Sequence, residues 1–262
     1  MEENKKNSLL ISSDTLVWYG LDMTFILAKD LWYDGIDLAL WNNFDAWNIE
    51  YVKRLVDTYN IPVKAIQTSN NLNKKELNYA IELAKELNVK KININAPKYY
   101  NYKAKKFIEE NLPLYQKAHS TLFFAIINPP KTSILNVLPQ YAFTNMVEIF
   151  KTYKLKVALD VSNIEEEKFD LHLIKKLPHL LPYISTIYLS DKDKTWKWHL
   201  PLWEWNMKIP SFLKKTKQLD YDGDFSVKII IDKKDLVDIE KVKLILKKCK
   251  MYYIENYIDL KL

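Results

Sequence analysis

Residues 33–67 read YDGIDLALWNNFDAWNIEYVKRLVDTYNIPVKAIQ. An apolar run lies around Ile36–Leu40. Beyond a polar, aromatic connection, Val52, Leu55, Val56 and Tyr59 recur at i, i+3, i+4 and i+7, the stripe of a helix that buries one face. Pro62 then precedes a second apolar run, Val63–Gln67. Strand, helix and strand in so short a stretch predict two parallel strands joined by a crossover helix, because parallel neighbours cannot be joined by a tight turn.

The unit repeats in both directions. Further strand-like runs are Leu9–Ser12, Lys91–Asn95, Leu122–Ile127, Val157–Asp160, Ser185–Leu189 and Phe225–Ile231. Helical patterns lie between them, as in KKELNYAIELAKEL, AFTNMVEIFKTYK and IPSFLKKTKQL. Eight such units in 262 residues predict an α/β fold, a (β/α)8 TIM barrel. A doubly wound sheet is the alternative. No linker of distinct composition divides the chain, so one domain over residues 1–262 is expected. In a barrel, chemistry gathers at the C-terminal ends of the strands. Those ends are Ser12, Ser13, Trp41, Gln67, Asn95, Ile127, Asn128, Asp160, Tyr188 to Asp191 and Lys228.

Composition excludes several functions. Three glycines rule out Gly-rich phosphate loops, and the lone Cys249 forms neither an internal disulfide nor a zinc cluster. The polar start MEENKKN is no signal peptide, and no 18-residue apolar run proposes a membrane span. A soluble, cytoplasmic protein without membrane contact is expected. The net charge of +6 resides in lysines on the polar faces of helices, a solvated surface rather than a nucleic-acid groove. Four of the eight tryptophans fall in KTWKWHLPLWEWNMKIPSF, residues 194–212, after the seventh strand and therefore over the mouth.

Over roughly residues 30–235 the strand ends resemble the xylose-isomerase-like barrel superfamily of sugar isomerases, epimerases and apurinic endonucleases. YDGIDLAL is similar to that family's F-D-G-I-E-L, VALDVSN stands for x-x-L-D-x-x-H, and FFAIINPP for L-x-L-E-N. WHLPLWEWNMKIPSFLKKTKQLDYDG is similar to the family's H-L-P-L-G-x-G-x segment and the helix after it, with Trp203 and Trp205 in place of two glycines. The resemblance implies a metal site of carboxylates and histidines. Carried over by residue, the fifth-strand glutamate is Ile127, the sixth-strand aspartate is kept as Asp160, and the following histidine is Asn163. The seventh-strand histidine is Tyr188, the D-x-H pair is Lys197 and His199, and the last glutamate is Lys228. The endonuclease-type histidines fall near Gln67 and Asn95. Only Asp160 and His199 survive, too few for a divalent cation. No metal and no cofactor are expected.

What replaces the metal is a set of polar side chains. Lys228 would stand near Asp160 and neutralise it. Asp160, His199, Lys228 and Tyr188 are the candidate catalytic groups. Gln67, Asn95, Asn128, Asn163, Asp191, Trp203 and Trp205 are candidate binders of a carbohydrate-like ligand, amides serving as both donors and acceptors and indoles as stacking faces. Each also has a plain structural reading, as an ion pair, a loop hydrogen bond or a cap. The family's two-glutamate proton shuttle is not carried over. Three functions follow: a metal-free isomerase- or epimerase-like protein acting on a sugar, sugar phosphate or polyol; a non-catalytic barrel that senses a ligand or binds a partner; and a nucleic-acid-binding relative of the apurinic endonucleases, for which too few metal ligands remain. Self-association stays open.

Overall fold

The computed structural model describes residues 7–134, 138–164, 173–193, 197–203 and 207–261. Eight parallel strands run in chain order: β1 (Leu9–Ser12), β2 (Gly35–Ala39), β3 (Val63–Thr68), β4 (Lys91–Asn95), β5 (Phe123–Ile127), β6 (Lys156–Asp160), β7 (Ile184–Leu189) and β8 (Asp224–Val227). Each pairs with the next, and β1 closes on β8 through Leu9 opposite Phe225, Leu10 opposite Ser226 and Ile11 opposite Val227. A helix follows each strand: α1 (Leu21–Asp30), α2 (Ile49–Tyr59), α3 (Lys74–Glu86), α4 (Tyr102–Ala118), α5 (Met146–Tyr153), α6 (Lys175–Leu180), α7 (Ile209–Gln218) and α8 (Ile239–Tyr253). The expected (β/α)8 barrel is therefore present. Among the described residues no helix is long and apolar enough to cross a membrane.

Local chemistry fixes the helix ends. Asn48, Asn73, Asn101, Asn145 and Asp238 each accept backbone N–H bonds at the start of α2, α3, α4, α5 and α8, satisfying donors that lack an intrahelical partner. With so few glycines, the left-handed residues at or just beyond helix C-termini include Trp32, Asn60, Asn88, Lys154 and Asp220. Asparagine tolerates this conformation better than most residues.

The last strand is shorter than the apolar run Phe225–Ile231 suggests. After Val227 the chain leaves the ladder, because the Ile229 amide donates to Thr15 Oγ1 (3.1 Å) and that of Ile230 to the His199 carbonyl (2.6 Å). An antiparallel ribbon of Ser133–Ile134 and Leu138–Pro139, not foreseen from the sequence, lies between β5 and α5.

Outside the barrel wall, Phe225 packs against Tyr221, Tyr253 and Tyr257 at ring separations of 5.3, 5.1 and 4.8 Å. Asn7 ties this seam by donating to the carbonyls of Tyr221 and Gly223 (2.8 and 2.7 Å) and accepting from the Tyr257 hydroxyl (2.9 Å). A Cβ on Gly223 would come within 2.1 Å of the Tyr221 hydroxyl oxygen and 2.7 Å of the Ser185 carbonyl. Gly223→Ala is expected to cost about 1–3 kcal/mol by overpacking, seen as a lowered Tm; an unchanged Tm contradicts this packing.

The barrel interior has two sides. Ala125, Ile127, Ala158 and Tyr188 form an apolar cluster. On the β1–β3 side Ser12, Asp37 and Gln67 are fully buried and polar, and the buried Asn93 and Ser226 stand beside the cluster as register partners of Ala125 and Tyr188. Near the N-terminal ends of the strands, Lys91 and Asp224 form an ion pair at 2.6 Å.

Candidate functional site

The C-terminal ends of the strands surround a cavity of about 620 Å3. Asp14 and Val17 reach it from the β1 side, Trp41 and Asn42 from beyond β2, and Asn95 and Lys98 from β4 and its loop. Ile127 and Asn128 end β5, Asp160 and Asn163 end β6, and Lys228 follows β8. Trp198 and His199 come from the loop after β7. Asp160, His199, Lys228, Asn95, Asn128 and Asn163 thus converge on one space.

Asp160 is 1% exposed. Its Oδ1 accepts from the Ser162 amide (3.2 Å) and hydroxyl (2.8 Å). Its Oδ2 is buried without a hydrogen-bond partner and stands 3.8 Å from His199 Nε2. The other imidazole nitrogen, Nδ1, meets the hydroxyls of Ser162 and Ser190, both at 3.2 Å. Burial lowers the His199 pKa below its ordinary value and the Lys228 ammonium adds to this, while Asp160 opposes. The neutral form of the ring is therefore favoured, with Nδ1 facing the two hydroxyls and Nε2 facing Asp160. His199 also adopts a left-handed φ of 58°, a conformation that costs a non-glycine residue energy and persists where neighbours hold it. The bond from Ile230 N–H to its carbonyl does so here.

Lys228 does not make the pair with Asp160 that its strand position suggests. Its ammonium lies 3.5 Å from Asp14 Oδ2, donates to Gln67 Oε1 at 3.3 Å, and stands 5.0 Å from the centre of the Tyr188 ring. The physical reason is the partition of the interior: Tyr188 fills the space toward β6, and the polar side opens toward β1–β3. Asp14 is held in turn by the Asn42 side chain, which donates at 2.5 Å.

Beneath Lys228 lies Asp37. Its Oδ2 accepts from Gln67 Nε2 (2.7 Å) and the Ser226 hydroxyl (3.2 Å); its Oδ1 is buried without a partner. Gln67 Nε2 also donates to Ser12 Oγ (2.8 Å), and Asn93 donates to the Tyr188 hydroxyl (2.8 Å). Burial raises the Asp37 pKa to about 7 against the opposing pull of Lys228. Burial also holds the Tyr188 hydroxyl well above its ordinary pKa, so it stays a neutral donor.

The remaining expected residues have structural partners. Asn128 bridges to the Asp160 backbone on both sides, accepting from its amide (2.6 Å) and donating to its carbonyl (3.0 Å). Asn163 donates to the Asn128 carbonyl (2.9 Å) and Asn95 to the Thr68 carbonyl (2.8 Å). Gln67 and Tyr188 lie below the cavity floor rather than in its wall. Asp191 caps its own loop, its Oδ1 accepting from the amides of Lys192 (2.8 Å) and Met207 (3.0 Å). Trp203 packs half-buried on the core with the Lys248 ammonium 5.5 Å from its ring centre. Trp205 lies outside the described residues. Among the described residues, the indoles that line the cavity are Trp41 and Trp198.

Asp14 and Asp37 are absent from the strand-end set. Asp37 carried a signal: an acid inside GIDLA, a strand buried along its whole length, where a parallel sheet is otherwise apolar. Asp14 lies two residues past the end of β1, beyond the Ser12–Ser13 pair read as the strand end.

The mouth offers Ile127 where the resemblance places one glutamate and an ammonium where it places the other, and among the described residues no group of three or more His, Cys, Asp or Glu side chains is arranged to hold a metal ion.

Comparison with protein-family models finds no match, and comparison with the curated proteins finds none. Solved structures do share the fold. D-allulose 3-epimerase from Methylomonas sp. is 13% identical, with a TM-score of 0.66 over 98% of this chain and 100% of that one. A xylose isomerase domain containing protein from Salmonella typhimurium is 12% identical, with a TM-score of 0.66 over 97% and 99%. AP endonuclease, family 2, from Brucella melitensis is 13% identical, with a TM-score of 0.62 over 85% and 93%. The barrel is thus built like the xylose-isomerase-like barrels whose motifs the strand ends resemble.

Proposed function

We propose that the barrel mouth binds a sugar, a sugar phosphate or a related polyol, and does so without a divalent metal. The observation that carries this reading is the convergence of Asp160, His199 and Lys228 with five side-chain amides and two indoles on one cavity of about 620 Å3. The unpartnered Asp160 Oδ2 supports it, since a buried carboxylate oxygen without a donor is costly and a ligand hydroxyl would supply one. Trp41 and Trp198 offer apolar faces to a sugar ring. The fold-level likeness to sugar epimerases agrees with this ligand class.

Catalysis at this mouth is of the isomerase or epimerase type. Neutral His199, in the tautomer whose Nδ1–H donates to the serine hydroxyl oxygens, takes a proton at Nε2 from the carbon beside a carbonyl. The Lys228 ammonium stabilises the negative charge that develops on the carbonyl oxygen, and the proton returns to a neighbouring position. A second reading, a non-catalytic barrel that senses the same ligand, is favoured by the engagement of Lys228 with Asp14 and Gln67. A nuclease reading finds no metal-binding donor set among the described residues. We place the protein in the cytoplasm.

A thermal-shift panel of monosaccharides, sugar phosphates and divalent cations tests the proposal. A ligand at about a hundred times its Kd adds about 2.7 kcal/mol, which corresponds to a Tm rise of roughly 5–11 °C for a domain of this size. Asp160→Asn should abolish that rise while the variant stays folded. If no sugar moves the Tm, ligand binding at the mouth is wrong. If the purified protein carries stoichiometric divalent metal, the metal-free part is wrong. Turnover of a sugar that raises the Tm separates the enzyme from the sensor.

A further inference from the structure

Lys228 carries charge into the mouth, yet its surroundings below the cavity floor are the unusual part. Its ammonium contacts the Gln67 carbonyl oxygen, and the amide nitrogen of the same side chain donates to Asp37. Gln67 is fixed in this orientation because Nε2 also donates to Ser12. One rigid amide therefore links an ammonium at the mouth to a carboxyl group sealed in the barrel.

We propose that Asp37 is a positioning residue for the mouth: through Gln67 it sets the orientation and the available charge of the Lys228 ammonium, so that an anionic group entering the cavity is bound together with one proton inside the barrel. The proposal rests on the mouth being a small-molecule site, and it narrows the ligand to one bearing a phosphate or carboxylate group.

The electrostatics are as follows. With Asp37 neutral, Asp14 is the one carboxylate among the described residues within 4 Å of Lys228, and Lys98 adds a second ammonium to the cavity wall. With Asp37 ionised, a second negative charge lies below the ammonium and draws on the same positive charge. An anion in the cavity therefore binds better when Asp37 holds its proton. By reciprocity, the bound anion keeps that proton in place. The groups facing Asp37 are Ser12 from β1, Gln67 from β3, Tyr188 from β7, and Ser226 and Lys228 from the β8 side. Asp160 and His199 lie beyond Tyr188 at the mouth, and Asn93 reaches the network through the Tyr188 hydroxyl. Of these, Asp37 has a pKa raised into the neutral range. His199 is the competing proton acceptor, and the variants below separate the two.

Sodium sulfate is the probe, since its charge is constant from pH 6 to 8. Calorimetric titration of the full chain at constant ionic strength should give a Kd about tenfold weaker at pH 8 than at pH 6, within the usual range for coupled sites. Near pH 7, titration in two buffers of different ionisation enthalpy should show proton uptake on binding. Asp37→Asn should still bind sulfate, with no pH slope and no proton uptake. Lys228→Met should not bind it. A pH slope that persists in Asp37→Asn assigns the proton to His199 and overturns the proposal, as does absence of sulfate binding by the wild type. If Asp37→Asn does not fold, Gln67→Met, which cuts the link, must flatten the slope. Sulfate makes no sugar-specific contact. Failure here thus leaves a sugar-induced rise in Tm standing, and failure of the sugar panel leaves sulfate linkage standing.

Discussion

The folded protein is expected to lose up to about 4 kcal/mol of stability through Asp37 alone as the pH rises from about 4 to about 7. The carboxyl of Asp37 has an ordinary pKa of 3.8 and is raised to about 7 by burial in the barrel, and each unit of difference is worth about 1.4 kcal/mol. The sign is the reverse of a salt-bridged aspartate. Between the two values the folded chain holds a proton that the unfolded chain has released, so acid favours folding. The contribution falls steadily through this window and is constant above it. Other carboxylates superimpose their own slopes, so the measurement is a difference. Urea denaturation of the wild type and of Asp37→Asn at several pH values from 4 to 8 should give curves that diverge, with the variant gaining on the wild type as pH rises. Parallel curves would show that Asp37 is ionised throughout.

Phe225→Ala should cost about 3–5 kcal/mol, a large part of the stability of an ordinary domain. Phe225 is fully buried, and it contacts Tyr221, Tyr253 and Tyr257, two of them nearly edge-on. Each such ring pair adds about 0.5–1.5 kcal/mol beyond burial. The position is also where β8 meets β1, with Leu9 opposite Phe225. A void there loosens strand closure and the docking of α8 together. Chemical denaturation at pH 7 checks this; a loss below about 1 kcal/mol would mean that the tyrosines collapse into the space without penalty.

The strands were legible because a parallel barrel buries both faces of each strand, so runs such as Ala65–Ile66 and Ile92–Ile94 stand out against helical periodicity. Strand ends then located the mouth, and Asp160, His199, Lys228, Asn95, Asn128 and Asn163 do meet there. Pairing within the mouth was not legible. Whether Lys228 turns to Asp160 or to Asp14 depends on which side of the interior Tyr188 fills, a three-dimensional matter that no spacing records. Trp203 looked like a mouth residue because it replaces a glycine in a loop over the barrel. It instead packs back on the core, where an indole gains more by burial than in an open rim. Trp41, at a strand end, and Trp198, in the stretch after the seventh strand, do line the cavity.

The seam between β1 and β8 has a consequence during synthesis. The first strand, Leu9–Ser12, has a neighbour on one side as soon as Gly35–Ala39 emerges, but its second neighbour is Asp224–Val227. Until that segment leaves the ribosome, the nascent sheet carries two bare edges, able to pair with other chains. At about 5–20 residues per second, the growing polypeptide spends on the order of ten seconds or more in this open form. Chaperone dependence should therefore centre on chains stalled before residue 224, and release after Tyr257 has docked against Phe225 should end it.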